Sequence, residues 1–108
     1  MHARVLSGKV QAEAFEEFER VIEESVLPCA REQQGFRGGR GQVDRETGCG
    51  VLITYWERAE DLSATERDGY LNTQVARIVS YLDGPAVRES YEVDPRLVHS
   101  DDQAGALH

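Results

Sequence analysis

Gly35-Phe36-Arg37-Gly38-Gly39-Arg40-Gly41-Gln42-Val43-Asp44, then Arg45-Glu46-Thr47-Gly48, then Cys49-Gly50-Val51-Leu52-Ile53-Thr54-Tyr55-Trp56-Glu57 is the stretch whose reading decides the fold. It predicts two strands, Phe36 to Asp44 and Cys49 to Glu57, joined by a tight turn at Arg45–Gly48. Val51 to Trp56 is dense in β-branched and aromatic residues, which suit a pleated, buried surface. Successive strand side chains point to opposite faces, so Val51, Ile53 and Tyr55 share one face and Leu52, Thr54 and Trp56 the other. Both faces are mostly apolar. A sheet with helices on one side and water on the other would alternate apolar with polar, so the pattern predicts that a second layer also covers the far face.

Around this hairpin the remaining elements follow from changes of period. Ala3 to Lys9 alternates Ala3, Val5, Ser7 with Arg4, Leu6, Gly8 and reads as a first strand. From Ala12 the apolar residues Ala12, Phe15, Phe18, Ile22 and Val26 recur at three and four, one stripe of a helix, while Glu13, Glu16, Glu17, Glu19, Glu23 and Glu24 form a solvated face. Pro28 has no N–H to return to the carbonyl of Glu24, so the helix is expected to kink or end there, with Cys29 to Glu32 able to add a turn. Gly35 passes helix to strand. Beyond the hairpin, Glu57 to Arg67 is polar and helix-prone; Ser63 and Glu66 have capping-box spacing, and Glu60 and Asp61 equally suit the first turn. Asp68-Gly69 interrupts it, and Tyr70 to Leu82 resumes helical spacing through Leu71, Val75, Ile78, Val79 and Leu82. Asp83-Gly84-Pro85 stops that helix, and Ala86 to Val93 forms a last strand. The domain is thus expected over residues 1–93, with a polar tail at 94–108.

The order β-α-β-β-α-β predicts an α+β, ferredoxin-like fold: a four-stranded antiparallel sheet with two main helices on one face. A second copy packing sheet on sheet would cover the other face, so a two-fold homodimer is expected.

Composition narrows the partners. The 108 residues suit one domain, and twelve Lys and Arg against twenty Asp and Glu give a formal charge of −8, which repels phosphate backbones and anionic lipid. The Arg-Gly run resembles RNA-binding segments, but those are long and disordered, whereas this one lies between a helix and a strong strand. No nucleic acid or membrane partner is expected. Without an apolar leader or a run near the roughly 18 residues of a span, the chain is expected to be soluble and cytoplasmic. Cys29 and Cys49 lack metal-binding or redox spacing and read as free thiols. HExxH, P-loop, GxGxxG and GxSxG patterns are absent, so neither metal nor nucleotide cofactor is expected.

Glu23-Glu24-Ser25-Val26-Leu27-Pro28-Cys29-Ala30-Arg31-Glu32-Gln33-Gln34-Gly35-Phe36, with Asp44-Arg45-Glu46-Thr47-Gly48 and Tyr55-Trp56-Glu57-Arg58-Ala59-Glu60-Asp61-Leu62, resembles the antibiotic biosynthesis monooxygenase domain of the dimeric α/β-barrel superfamily. The resemblance spans about Ala3 to Val93. It implies a dimer whose sheets form a barrel, with a ligand cavity between sheet and helices in each subunit. It also implies an activity drawn from cofactor-free oxygenases of aromatic phenols, haem-degrading enzymes, isomerases and proteins without established activity. Trp56 matches the tryptophan of the oxygenases. The polar residues found four before and six after it in one oxygenase branch are Leu52 and Leu62 here, which would put apolar groups against a substrate. The haem-degrading branch needs a histidine on the second helix, and the histidines here are His2, His99 and His108.

In such a cavity Trp56 would be a flat apolar wall, Tyr70 or Tyr81 would offer a hydroxyl, and Arg77 a positive charge for a phenolate or enolate. Proton removal would fall to Glu89 or to a tyrosine. Each residue also has a plainer role: Trp56, Tyr70 and Tyr81 in packing, and Arg77 in a surface pair with Glu66 or Asp83. Two functions fit, a cofactor-independent monooxygenase of a small aromatic or quinol substrate, and a non-enzymatic ligand-binding or stress-associated dimer.

Overall fold

The computed structural model describes residues 1–94 and 96. In chain order it contains β1 (His2–Lys9), α1 (Phe15–Val21), α2 (Leu27–Arg31), β2 (Phe36–Val43), β3 (Cys49–Trp56), α3 (Ala59–Arg67), α4 (Tyr70–Val79) and β4 (Val87–Glu92). A 3-10 turn, Ala12–Ala14, precedes α1, and a π-helical turn, Ile22–Val26, joins α1 to α2. The strands pair in the order β2-β3-β1-β4, every pair antiparallel, which is the ferredoxin-like arrangement. The sheet is open, with β2 and β4 at its edges. The expected polar tail lies outside the described residues, apart from Asp94 and Arg96. No helix among the described residues is long and apolar enough to cross a membrane.

The hairpin turns where its residues dictate. Asp44 Oδ1 accepts from the backbone N–H of Glu46 at 2.9 Å, and Gly48 takes a φ of +82° that glycine adopts without a Cβ penalty. A bulge between Phe36 and Gly38 leaves Arg37 unpaired in the ladder, where it bonds Glu57 at 2.5 Å. The Arg-Gly run has a packing reason. A Cβ at Gly41 would stand 2.8 Å from Ile22 Cγ2, and one at Gly50 would stand 2.6 Å from Val10 Cγ2. Bare backbone at these points lets the first helix lie directly on the sheet.

That helix does not end at Pro28 but takes the further turn that Cys29 to Glu32 were able to add, past an irregularity just before the proline. Its buried residues Phe18, Ile22, Val26 and Ala30 recur every four positions. At 3.6 residues per turn, each step of four overshoots a full turn by about 40°, so an unbroken α-helix would carry this stripe about 120° around its axis. The wider π turn cancels part of the drift: Leu27 N–H donates to Ile22 O, five residues back. The same local widening accommodates Pro28, which sits in the first turn of α2, so chain and buried stripe continue together to Arg31. One smaller expectation changes and another is decided. Ala12 is exposed and Ala14 takes its place in the core, and of the two readings of the α3 start the structure has Glu60 and Asp61 in the first turn, with Ser63 inside the helix and no capping box.

Leu6, Val10, Phe18, Ile22, Val26, Leu52, Leu71, Ile78 and Leu82 form the core between helices and sheet. Leu52, Thr54 and Trp56 are the buried face of β3, whereas Val51, Ile53 and Tyr55 point to the open side and are half-buried. Register places Val5 opposite Ile53, and Val87 and Tyr91 carry the same face across β4, each about half exposed at 52% and 51%. The middle of the sheet's far side is therefore apolar and uncovered in the single chain, with Glu89 on one edge strand and Arg40 and Gln42 on the other.

Candidate functional site

The site begins with a charge in an apolar place. Arg4 faces the helices beside Thr54 and is 2% exposed. Its Nη2 donates to Leu62 O at 2.9 Å, to Thr65 Oγ1 at 2.9 Å and to Glu66 Oε2 at 3.1 Å, so α3 supplies all three acceptors. Burial pulls the guanidinium below its usual pKa, and the bond and charge of Glu66 oppose that shift. Arg4 Cζ lies 5.9 Å from the centroid of the fully buried Trp56, within cation–π range. Trp56 is held on its other sides: its Nε1–H donates to Thr54 Oγ1 at 3.0 Å, and Phe36 and Tyr70 meet it edge-on at 5.5 and 6.4 Å between centroids.

These groups enclose a chamber of about 20 Å³ whose polar lining is Arg4, Thr54, Tyr70 and Gln74 and whose walls include Trp56 and Leu52. That is room for one water-sized group. Arg4 Nε and Gln74 Oε1 are buried without hydrogen-bond partners, a donor and an acceptor on two lining residues. Burial, with a smaller contribution from Cys29, pushes the Tyr70 hydroxyl up to about 12. On the outer side of Tyr70 and Gln74 lies a cleft of about 440 Å³, bordered by Cys29, Glu32, Asp68 and Thr73. The two residues stand between chamber and cleft.

Of the residues singled out from the sequence, Trp56, Tyr70 and Leu52 line the chamber, and Leu62 is buried beside it, its carbonyl taking Arg4. Arg77 lies elsewhere: exposed on α4, it bonds Ser25 Oγ and Cys29 Sγ, and Glu66 goes to Arg4 instead. Tyr81 follows the far end of α4 against the core, its carbonyl accepting from Gln11 N–H at 2.9 Å. Glu89 is exposed and pairs in register with Val5, which puts it on the open face of the sheet, away from the chamber. Arg4 and Gln74 were missed. Each was legible as a polar residue on an apolar track, Arg4 on the same strand face as Leu6, and Gln74 between Leu71 and Ile78. Cys29 and Cys49 are free thiols, and the described residues contain no group of three or more His, Cys, Asp or Glu that could hold a metal ion.

The fold defines a class: small ferredoxin-like α+β domains, a four-stranded antiparallel sheet with helices against it. Solved structures of that class include a provisionally named antibiotic biosynthesis monooxygenase from Deinococcus radiodurans, 10% identical, covering 94% of this chain and all of the other (100%) with a TM-score of 0.74. A conserved protein from Methanosarcina mazei Go1 is 16% identical over 87% of this chain and 94% of its own, with a TM-score of 0.70. A monooxygenase from the gene ActVA-Orf6 of Streptomyces coelicolor, solved in complex with the ligand Nanaomycin D, is 17% identical over 92% of each chain, with a TM-score of 0.69. No family model and no curated protein matches the chain. Likeness at such identities carries the fold, and function has to be argued from the site.

Proposed function

We propose that this chain is a cytoplasmic, cofactor-independent monooxygenase that takes a small aromatic or quinol substrate between sheet and helices and works as a two-fold dimer. The observation that carries the reading is Arg4, a buried cation against Trp56 in a space with two unmatched polar atoms. A guanidinium in a water-poor site favours the anion of a phenol over its neutral form, and the indole face orients the ring. Tyr70, with its pKa near 12, stays protonated at neutral pH and serves as a hydrogen-bond donor. The phenolic proton passes to water at the outer cleft, and the electron-rich anion reduces dioxygen. For a substrate with a methylene activated by flanking rings, one oxygen atom becomes the new carbonyl, the other leaves as water with the two methylene hydrogens, and the substrate supplies the electrons. Fold neighbours named monooxygenases support this reading.

The dimer follows from the open face. Val5, Val51, Ile53, Tyr55, Val87 and Tyr91 form an apolar surface that a second copy, packing sheet on sheet, would remove from water.

One observation favours a second reading. Ligand pockets commonly measure about 300–1,000 Å³, and a chamber of about 20 Å³ holds no aromatic ring until Tyr70 yields. A stress-associated dimer without chemistry fits that narrow state, whereas a ligand-binding one needs the same movement of Tyr70 as the enzyme. Oxygen uptake by the purified protein with a panel of anthrones and hydroquinones separates the two. The monooxygenase reading expects uptake above the protein-free rate, reduced at least tenfold in Arg4→Met and Trp56→Phe. Uptake equal with and without protein removes oxygenation and leaves the dimer without chemistry.

A further inference from the structure

Tyr70 and Gln74 border two spaces at once, the chamber of about 20 Å³ and the surface cleft of about 440 Å³. Tyr70 is the first residue of α4, follows Gly69 at a φ of +87°, and is only half-buried. Gln74 is 4% exposed, with its amide oxygen buried and unmatched. Among the residues that line the chamber, the buried polar atoms without a partner are one acceptor, Gln74 Oε1, and one donor, Arg4 Nε–H. A hydroxyl is both donor and acceptor and can satisfy the pair. On the cleft side the charged lining residues are Glu32 and Asp68, whose Oδ1 accepts from Tyr70 N–H at 2.9 Å, and Arg77 stands at the Cys29 end, bonded to Cys29 Sγ and Ser25 Oγ.

We propose that chamber and cleft are one ligand site divided by Tyr70 and Gln74, and that its ligand is an elongated phenol carrying a cationic amine. The hydroxyl-bearing ring enters beside Trp56, and the amine rests between Glu32 and Asp68. This rests on the reading that the chamber takes an aromatic ring, and it adds the class of molecule to that reading. An anionic tail meets two carboxylates and a chain of net charge −8, so charge alone discriminates between phenols of one ring and one length.

The test needs no turnover. Trp56 is the sole tryptophan, so intrinsic fluorescence excited at the red edge reports the chamber. The full chain is titrated with tyramine and with 3-(4-hydroxyphenyl)propanoate, which share the phenol and differ in the charge of the tail. The expected result is tyramine binding about tenfold tighter at low salt, the scale of two water-screened charges. That preference falls towards unity in the Glu32→Gln/Asp68→Asn double variant and in high salt, while both probes still bind. Phenethylamine, which lacks the hydroxyl, binds more weakly than tyramine to wild type and equally to Gln74→Leu. Equal affinity of the two charged probes for wild type overturns the cationic-tail proposal and leaves the chamber reading standing. A Trp56 signal unmoved by any of the three overturns both.

Discussion

Removing either partner of the Arg4–Glu66 pair tests the site's electrostatics, because the two losses differ in cost. Glu66→Ala leaves a guanidinium that is 2% exposed with only neutral acceptors, Leu62 O and Thr65 Oγ1. Stripping the partner from a fully buried charge costs about 3–5 kcal/mol. Glu66 is 35% exposed, so water can replace part of what it gave, and about 2 kcal/mol is expected. Arg4→Met instead removes the charge together with its desolvation penalty and lays an unbranched chain along Trp56. Thr65 Oγ1 keeps its own 2.6 Å bond to Leu62 O, and Glu66 rehydrates. That variant is expected to cost about 1 kcal/mol or less. The double variant should cost no more than Arg4→Met alone, because Glu66 has little to do once the cation is gone. Urea unfolding followed by Trp56 fluorescence, at one fixed protein concentration, reads all three. With a slope of about 1.5 kcal/mol per molar, Glu66→Ala should lower the midpoint by about 1.3 M and Arg4→Met by about half that or less. Arg4→Met proving costlier than Glu66→Ala, or additive single losses, would refute the claim that an uncompensated buried cation dominates this site.

Two further outcomes follow from the same structure. Tyr70 ionises near pH 12 when folded against 10.0 ordinarily, with burial the main cause; its stabilising contribution is whole below pH 10 and is lost as pH rises through 12, because the unfolded chain releases its proton first. The urea midpoint of wild type should therefore fall more steeply between pH 10 and 12 than that of Tyr70→Phe, and parallel falls would count against the buried hydroxyl. On the open face, Ile53→Asp sets a carboxylate opposite Val5 at the middle of the sheet; sedimentation velocity should find wild type dimeric and the variant monomeric at micromolar concentration, and a wild-type monomer would remove the sheet-on-sheet partner.

How far the sequence discloses the protein depends on how local the deciding interaction is. The period of two in Val51–Trp56 and the turn chemistry of Asp44–Gly48 are properties of neighbouring residues, and both elements form where those residues put them. The break at Asp68-Gly69 is equally local, since Gly69 alone in that turn takes a left-handed φ. Arg4 is the opposite case. Its identity as a site residue needs Glu66, 62 positions away, and nothing in strand periodicity says which acceptors a later helix will bring. Glu89 was misjudged for a related reason: its face depends on the β1–β4 register, which alternation broken by polar residues leaves unspecified. Arg77 occupies a helix flank, and only the packing of α4 beside Ser25 and Cys29 decides that it points to the surface.

The π turn at Ile22–Val26 has a consequence for comparing this chain with others. A π turn is in effect one residue inserted into an α-helix, so a homologue with an unbroken helix is one residue shorter there, and an ungapped alignment pairs every residue on one side of the turn with the wrong neighbour. Placing a single-residue gap within Ile22–Val26 brings Phe18 and Ala30 into step at once, and deleting one residue from that turn is the change in this helix that its fold is best prepared to absorb.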